Sequence, residues 1–133
     1  MDKIMKSVNI LNYALDGLWL RNKAINHNIA NVDTPNYKRI TVNFENALKK
    51  AIENKGLKLN TTHEKHISNS TNLDNIEPDI KEEKGYSYRN DGNNVNIDVE
   101  SANLAKNAIM YNGIVNQIMG EFNKLKSIIN EGR

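Results

Sequence analysis

The chain has 133 residues, of which 38% are hydrophobic and 6% aromatic, and 18 basic against 16 acidic residues leave a formal net charge of +2. This length corresponds to about one small domain, and the lean apolar content predicts an elongated molecule without a large catalytic cleft. The basic residues are scattered, so no nucleic-acid surface is expected, and the absence of Cys excludes disulfides, thiol nucleophiles and Cys-based zinc sites.

The first residues predict neither a secretory signal nor a membrane anchor. Between Met1 and Ser7 there is no continuous apolar stretch and no small-residue cleavage site. No apolar run approaches the roughly 20 residues needed to cross a bilayer. We therefore expect a chain that is cytoplasmic or exported without a cleaved signal.

A long helix is predicted over residues 1–32, ending near Asn31. Its apolar residues alternate at spacings of four and three, the heptad pattern of helices that pack side by side. This first seam consists of Ile4, Val8, Leu11, Leu15, Leu18, Asn22, Ile25, Ile29 and Val32. Asn22 is its one polar member, and either fixes the helix register at an a position or faces water where the seam is open.

A small middle region, 33–97, should begin with a turn. The residue before Pro35 is pushed out of the helical region, and Asn36 suits a turn position with positive φ. A short helix is expected next, ended by Lys55-Gly56. Its apolar face consists of Phe44, Ala47, Leu48, Ala51 and Ile52.

The rest of the middle region is predicted as a polar loop followed by a small β-hairpin. Polar residues dominate 57–84, which indicates an exposed loop. Turn residues at 90–94 separate two stretches in which apolar and polar residues alternate, the pattern of paired strands. The alternating apolar residues are Tyr86 and Tyr88 before the turn and Val95, Ile97 and Val99 after it.

The segment 98–133 is predicted to form a second long helix. Asp98 suits its N-cap, and Glu100 would lie in the first turn, where the helix dipole favours negative charge. Its seam repeats the spacing of the first and consists of Leu104, Ala108, Tyr111, Val115, Ile118, Phe122, Leu125 and Ile129. At about 1.5 Å per residue, each terminal helix would be roughly 40 to 45 Å long. The predicted fold is therefore mainly α, with the long terminal helices forming a coiled-coil-like pair.

Several positions beside the two seams are apolar where a two-stranded coiled coil would carry charges. They are Trp19 in the first helix and Ala105, Ile114, Met119 and Ile128 in the second. The apolar face is thus too wide for one partner helix. This favours assembly of helices from several chains over folding of both helices onto the polar middle region.

The sequence gives little support for an enzyme. His63 and His66 form an H-x-x-H pair that lacks further zinc ligands and does not match the H-E-x-x-H spacing of metalloproteases. Hydrolase, kinase and dinucleotide-binding signatures are absent, and Glu82-Glu83 lies in a solvated charged run. We predict no catalytic residue, cofactor or metal site, and a metal-dependent hydrolase using the two histidines is the weakest alternative.

Two segments resemble known proteins. The first contains Asn28, Ile29, Ala30, Asn31, Thr34, Pro35, Tyr37 and Lys38, and is similar to the N-I-A-N-x-x-T-P-G-Y-K signature of bacterial flagellar rod, hook and hook-associated proteins. Asn36 stands where that family usually has Gly, and Asn is the residue that best tolerates positive φ after Gly. The second contains Asp91, Gly92, Asn93, Asn94 and Val95, and resembles a D-G-N-N-V segment of the proximal rod proteins in this family.

This resemblance implies a structural subunit of the proximal rod in the flagellar basal body, exported through the flagellar type III apparatus. Such subunits associate with themselves, with other rod subunits and with the protein that joins the rod to the membrane ring. Together they form a hollow shaft that transmits torque and is required for motility. The resemblance implies neither a nucleic acid nor a small-molecule substrate. A small cytoplasmic coiled-coil adaptor or regulator is the alternative.

Overall fold

Two long helices at the ends of the chain dominate the structure. A computed structural model describes residues 2–53, 78–85, 87 and 89–131. The elements are α1 (Asp2–Ala30), β1 (Ile40–Asn43), α2 (Glu45–Glu53), β2 (Asp79–Glu82) and α3 (Ile97–Glu131). The 29 residues of α1 and the 35 of α3 correspond to lengths of about 43 and 52 Å, and the two helices pack side by side. The predicted mainly α fold with a pair of long terminal helices is confirmed.

The predicted interruption after α1 is also confirmed. The helix ends at Ala30, and Asn36 adopts a φ of 59°, the left-handed conformation that the turn required. The short middle helix is present as α2, although its predicted end at Lys55-Gly56 lies outside the described residues.

A small apolar core holds α2 against the two long helices. Ala14 and Leu18 of α1 surround Phe44, and Leu48 and Ile114 pack on the same cluster. This contact depends on Gly17, because a Cβ atom at that position would lie 2.4 Å from the Phe44 ring. Arg21 covers the ring from above, with its Cζ atom 4.7 Å from the ring centroid.

The two-stranded antiparallel sheet consists of other residues than predicted. β1 pairs with β2, so that Ile40 lies opposite Glu82 and Asn43 opposite Asp79. β2 lies within the predicted loop, and the sequence pattern missed it because all four of its residues are exposed and three are charged. The remainder of that loop, up to residue 77, lies outside the described residues.

The second strand of the hairpin predicted around 90–94 is not formed. Tyr86 and Tyr88 of the predicted first strand lie outside the described residues. Ile97 and Val99 belong to the first turn of α3. The N-cap of α3 is Asn96 instead of Asp98, since Asn96 Oδ1 accepts hydrogen bonds from the backbone N–H groups of Asp98 (2.9 Å) and Val99 (3.3 Å). The Asn96 cap therefore starts a helix at Ile97, where the alternation of apolar residues predicts a strand.

Candidate assembly site

The two segments that resemble flagellar proteins meet in space. One lies at the C-terminal end of α1 and the other immediately before α3, and polar side chains join them. We call this cluster the motif junction. It comprises Asn28, Tyr37, Arg39, Asn93 and Glu100.

Asn28 connects α1 to β1 and to α3, and is fully buried. Its Nδ2 group donates hydrogen bonds to the Ile40 carbonyl (2.8 Å) and to Glu100 Oε2 (3.1 Å). Its Oδ1 atom accepts hydrogen bonds from the Ile40 N–H (2.9 Å) and the Tyr37 hydroxyl (3.0 Å). The side chain thus pairs with the backbone of Ile40 as a neighbouring strand would, and every polar atom it buries is satisfied.

Tyr37 joins His27 and Asn28 at the end of α1. Its hydroxyl donates to Asn28 Oδ1 at 3.0 Å and lies 2.7 Å from His27 Nδ1. The His27 tautomer that carries its proton on Nδ1 donates to the Tyr37 oxygen and satisfies both contacts. Burial, followed by the negative charges of Glu82 and Glu100, raises the pKa of Tyr37, so the phenol keeps the proton that it donates.

Arg39 and Glu100 form the charged centre of the junction. Glu100 is 1% exposed and accepts a hydrogen bond of 2.6 Å from Arg39 Nε. Arg39 Nη1 also donates to Glu83 Oε1 at 3.1 Å. Burial by itself would lower the pKa of Arg39, but the hydrogen bond and the charge of Glu100 raise it, so the guanidinium stays charged. As predicted, Glu100 lies in the first turn of α3.

Asn93 caps the other end of the junction. Its Nδ2 group donates to the carbonyl oxygens of Asn31 (3.0 Å), Val32 (2.9 Å) and Thr34 (2.9 Å), just beyond the end of α1, where carbonyls lack helical partners. Its Oδ1 atom accepts from the Val95 N–H at 2.8 Å. One fully buried amide therefore ties the end of α1 to the segment that leads into α3.

The turns at Asn36 and Gly92 interlock beside Asn93. The Asn36 N–H donates to the Asp91 carbonyl (2.8 Å), and Lys38 Nζ donates to the Gly92 carbonyl (2.6 Å). Gly92 has a φ of 75°, and a Cβ atom there would lie 2.7 Å from Asn36 Oδ1. The positive φ thus favours glycine at position 92, and a larger residue would also force the Asn36 side chain to move.

Most of the first seam is covered in the single chain. Val8, Leu18 and Ile25 are buried, while Leu11, Leu15 and Ile29 are half-buried. Asn22 is half-buried and its Oδ1 accepts a hydrogen bond of 2.7 Å from Asn26 within α1. In this structure, Asn22 therefore bonds along its own helix.

The second seam is largely uncovered. The buried face of α3 carries Glu100, Asn107 and Glu121, with Ile114 packed on the core. The seam lies beside this face, so that Leu104, Val115, Ile118 and Leu125 are half-buried. We call its exposed members, Ala108, Tyr111, Phe122 and Ile129, the outer stripe.

Further large apolar side chains are exposed outside the outer stripe. They are Ile109, Met119 and Ile128 of α3 and Trp19 of α1, and within the stripe Phe122 and Ile129 are 53% and 66% exposed. Exposed apolar surface along a helix is typical of protein interfaces. Ala105, another flanking position, is exposed as well.

Sequence reasoning missed several residues that hold the molecule together. Arg39 and Arg21 bind acidic residues from other elements at 2.6 Å, and Asn107 is buried between α1 and α3. Only Glu100 gave a local signal, through its place in the first turn of a helix. No group of three potential metal ligands occurs within the described residues, and His63 and His66 lie outside them. The described helices include none that could span a membrane.

Comparison with known proteins gives a consistent set of relatives, although no family model matches the chain. It is 36% identical over 127 residues to the flagellar basal body rod protein FlgB of Bacillus subtilis, covering 96% of this chain and 95% of the relative. It is 38% identical over 121 residues to FlgB of Borreliella burgdorferi, covering 87% and 90%. It is 36% identical over 133 residues to FlgB of Buchnera aphidicola, covering 97% and 98%.

Proposed function

The chain belongs to the family of the flagellar basal body rod protein FlgB, and on this premise we propose that it assembles with itself and with other rod subunits into the proximal rod. Its location in the flagellar basal body and its structural role in the rod follow from family membership. The assembly surface, the partners and the mechanical role are our proposal.

The outer stripe is the observation that supports this proposal most directly. Phe122 and Ile129 are more than half exposed, although both lie on the apolar seam of α3. Burial of apolar surface contributes about 25 cal/mol per Å², so helices from neighbouring subunits would gain free energy by covering the stripe. The buried face of α3 is more polar, which leaves the apolar face available for contacts between chains.

The remaining steps of the proposal come from the resemblance to the family. The chain is exported through the flagellar type III export apparatus and contacts the protein that joins the rod to the membrane ring. The completed rod is a hollow shaft that transmits torque and is required for motility. No catalytic step is part of this function.

Charge substitution in the outer stripe tests the proposed surface. Phe122→Asp should abolish incorporation into basal bodies and swimming while export continues, because a carboxylate would be buried without a partner in the assembly. Val115→Asp and Leu15→Asp should also block assembly, but both residues are half-buried within the chain. The substitution at Phe122 therefore distinguishes a defect in assembly from a defect in folding better than these two do.

Asn123→Asp is the matched control, since it adds the same charge at the adjacent exposed position. It should leave the basal-body content and swimming unchanged. Basal bodies isolated from each strain, probed for the tagged chain, give the measurement. Normal rods and swimming with Phe122→Asp would show that the outer stripe is not an assembly surface.

A tagged copy also separates this function from that of a cytoplasmic adaptor. A rod subunit should be secreted through an intact flagellar export gate, whereas an adaptor should stay inside the cell. Retention of the tagged chain in cells that export other rod proteins would contradict the proposal.

A further inference from the structure

A polar groove of about 330 Å³ opens between α1, β1 and α3, away from the outer stripe. Aliphatic side chains, including Ile25, Ile40 and Met110, form part of its wall. The other residues that line it are mainly charged or carry amides. Such a combination suits a polar side chain with an aliphatic stem better than it suits an apolar helix.

The groove carries an unbalanced positive charge. Arg21, Arg39 and Lys106 line it together with two carboxylates, Glu45 and Glu100. Arg21 binds Glu45 and Arg39 binds Glu100, each at 2.6 Å. Within the described part of the chain Lys106 has no hydrogen bond or ion pair, so its charge is the one left uncompensated.

Two amides on the same face of α3 also have unused hydrogen-bonding groups. Asn107 is 2% exposed and donates a hydrogen bond of 3.0 Å to the Leu18 carbonyl, while its Oδ1 atom has no partner among the described residues. Asn103, four residues earlier, makes no side-chain hydrogen bond in the described chain. Because the chain itself encloses Asn107 Oδ1, the half-buried Asn103 amide is the one that a ligand in the groove can reach.

We propose that this groove receives a Glu or Asp side chain from a neighbouring rod subunit. The carboxylate pairs with Lys106, and Asn103 Nδ2 on the same wall of the groove donates a second hydrogen bond to it. Repulsion by Glu45 and Glu100 is small, since each is already neutralised by an arginine. This inference rests on the proposed function and adds a second, charge-selective contact on a different side of the helix pair.

Zero-length cross-linking of isolated basal bodies tests the contact directly. A carbodiimide joins a lysine amine to a carboxylate only where the two are in contact, and mass spectrometry identifies the joined peptides. We expect Lys106 to be linked to an Asp or Glu of a neighbouring subunit. A Lys106 that remains unlinked, or is linked only to Glu45 or Glu100 of its own chain, would overturn the inference.

Charge reversal provides the second measurement. Lys106→Glu should lower incorporation into basal bodies by at least about tenfold, whereas Lys106→Arg should retain it, because a carboxylate on the partner requires a cation here. Lys84→Glu is the control, since Lys84 is exposed outside the groove and away from the outer stripe of α3. No loss with Lys106→Glu, or an equal loss with both reversals, would contradict the groove as the binding site.

The two proposals fail in different ways. Absence of the unaltered chain from isolated basal bodies would overturn the proposed function itself. Its presence there without a Lys106 cross-link would overturn only the acidic partner. Circular dichroism of purified Lys106→Glu and Lys84→Glu should match that of the unaltered chain, because neither lysine has an ion-pair partner in the described structure.

Discussion

The motif junction and the outer stripe differ in which kind of side chain they bury and which they expose. In the junction, polar groups are buried and each finds partners, as with Asn28, Asn93 and Glu100. Along the outer stripe, large apolar side chains such as Phe122 and Ile129 remain in solvent. The buried polar groups of the junction are thus satisfied within the chain, whereas the outer stripe is exposed apolar surface of the kind that proteins use to bind partners.

The two ends of α3 differ in the same way. The N-terminal end, through Glu100, is fixed by contacts to α1, Arg39 and the turn before α3. The distal end buries little beyond Glu121, whose carboxylate accepts a hydrogen bond from Lys124 on the same helix. We therefore expect substitutions in the junction to affect the folding of the single chain, and those in the outer stripe to affect assembly.

The largest effect on stability is expected at Asn93. Asn93→Ala removes one donor from each of three carbonyls beyond the end of α1 and the acceptor for the buried Val95 N–H. The carbonyls keep a second donor each, from the N–H groups of Thr34 and Tyr37 and from Arg89 Nη1. Loss of the Asn93 hydrogen bonds, at about 1 kcal/mol each, should lower the free energy of unfolding by about 3 kcal/mol. Urea unfolding of the purified chain, followed by circular dichroism, measures this loss.

Two control substitutions test whether stability depends on the motif junction more than on the outer stripe. Asn116→Ala alters the same residue type at an exposed position of α3 and should change stability by less than about 0.5 kcal/mol. Phe122→Ala should cost less than about 1 kcal/mol in the single chain, although it removes a large aromatic side chain. If Phe122→Ala destabilised the chain as much as Asn93→Ala, the outer stripe would already be packed within the monomer.

A smaller effect is expected where α1 meets Phe44. Gly17→Ala places a Cβ atom 2.4 Å from the Phe44 ring, so the ring must move, and Arg21 with it. The higher helix propensity of Ala, about 1 kcal/mol, offsets part of the strain. We expect a net loss of about 1 to 2 kcal/mol.

Gly113→Ala is the matched control, because a Cβ atom there meets no other atom within 4 Å among the described residues. It should stabilise the chain through helix propensity alone. Thermal unfolding of both variants would measure the contrast, and a stabilising Gly17→Ala would show that Phe44 packs elsewhere in solution.

The helices could be predicted from the sequence because their signals are local. Apolar residues at spacings of three and four identify α1 and α3, and Pro35 with Asn36 marks the turn beyond α1. The same spacing also identified Phe122 and Ile129 as apolar seam positions. Their exposure could not be predicted from spacing alone, since it depends on which face of α3 turns toward α1.

The motif junction could not be predicted, because its contacts join residues that are distant in sequence. Asn93 lies 62 positions from Asn31, and Arg39 lies 61 positions from Glu100. Neither pair forms a local pattern, and buried charges and amides look the same in sequence as solvated ones. The strand β2 was missed for a related reason, since only backbone pairing with β1 defines it.

The smallest predicted effect is a loss of stability in acid. The backbone N–H of Asn93, and then the charge of Arg89, hold the pKa of Asp91 below its ordinary value of 3.8. Burial by itself raises the pKa of Glu45, but the hydrogen bond from Arg21 and further contacts lower it below 4.5. Because both pKa values are lower in the folded chain, the unfolded chain takes up protons first as the pH falls.

Stability from these two carboxylates should therefore be complete above about pH 5 and decline progressively below it, as the pH falls through their folded pKa values. Asp91→Asn should reduce the difference between melting temperatures at neutral and acidic pH, because residue 91 then no longer titrates. Asp16→Asn, at an exposed α1 position without a hydrogen bond in the described chain, should leave that difference unchanged. An equal reduction in both variants would indicate that overall charge, and not the contacts of Asp91 with Asn93 and Arg89, makes the chain sensitive to acid.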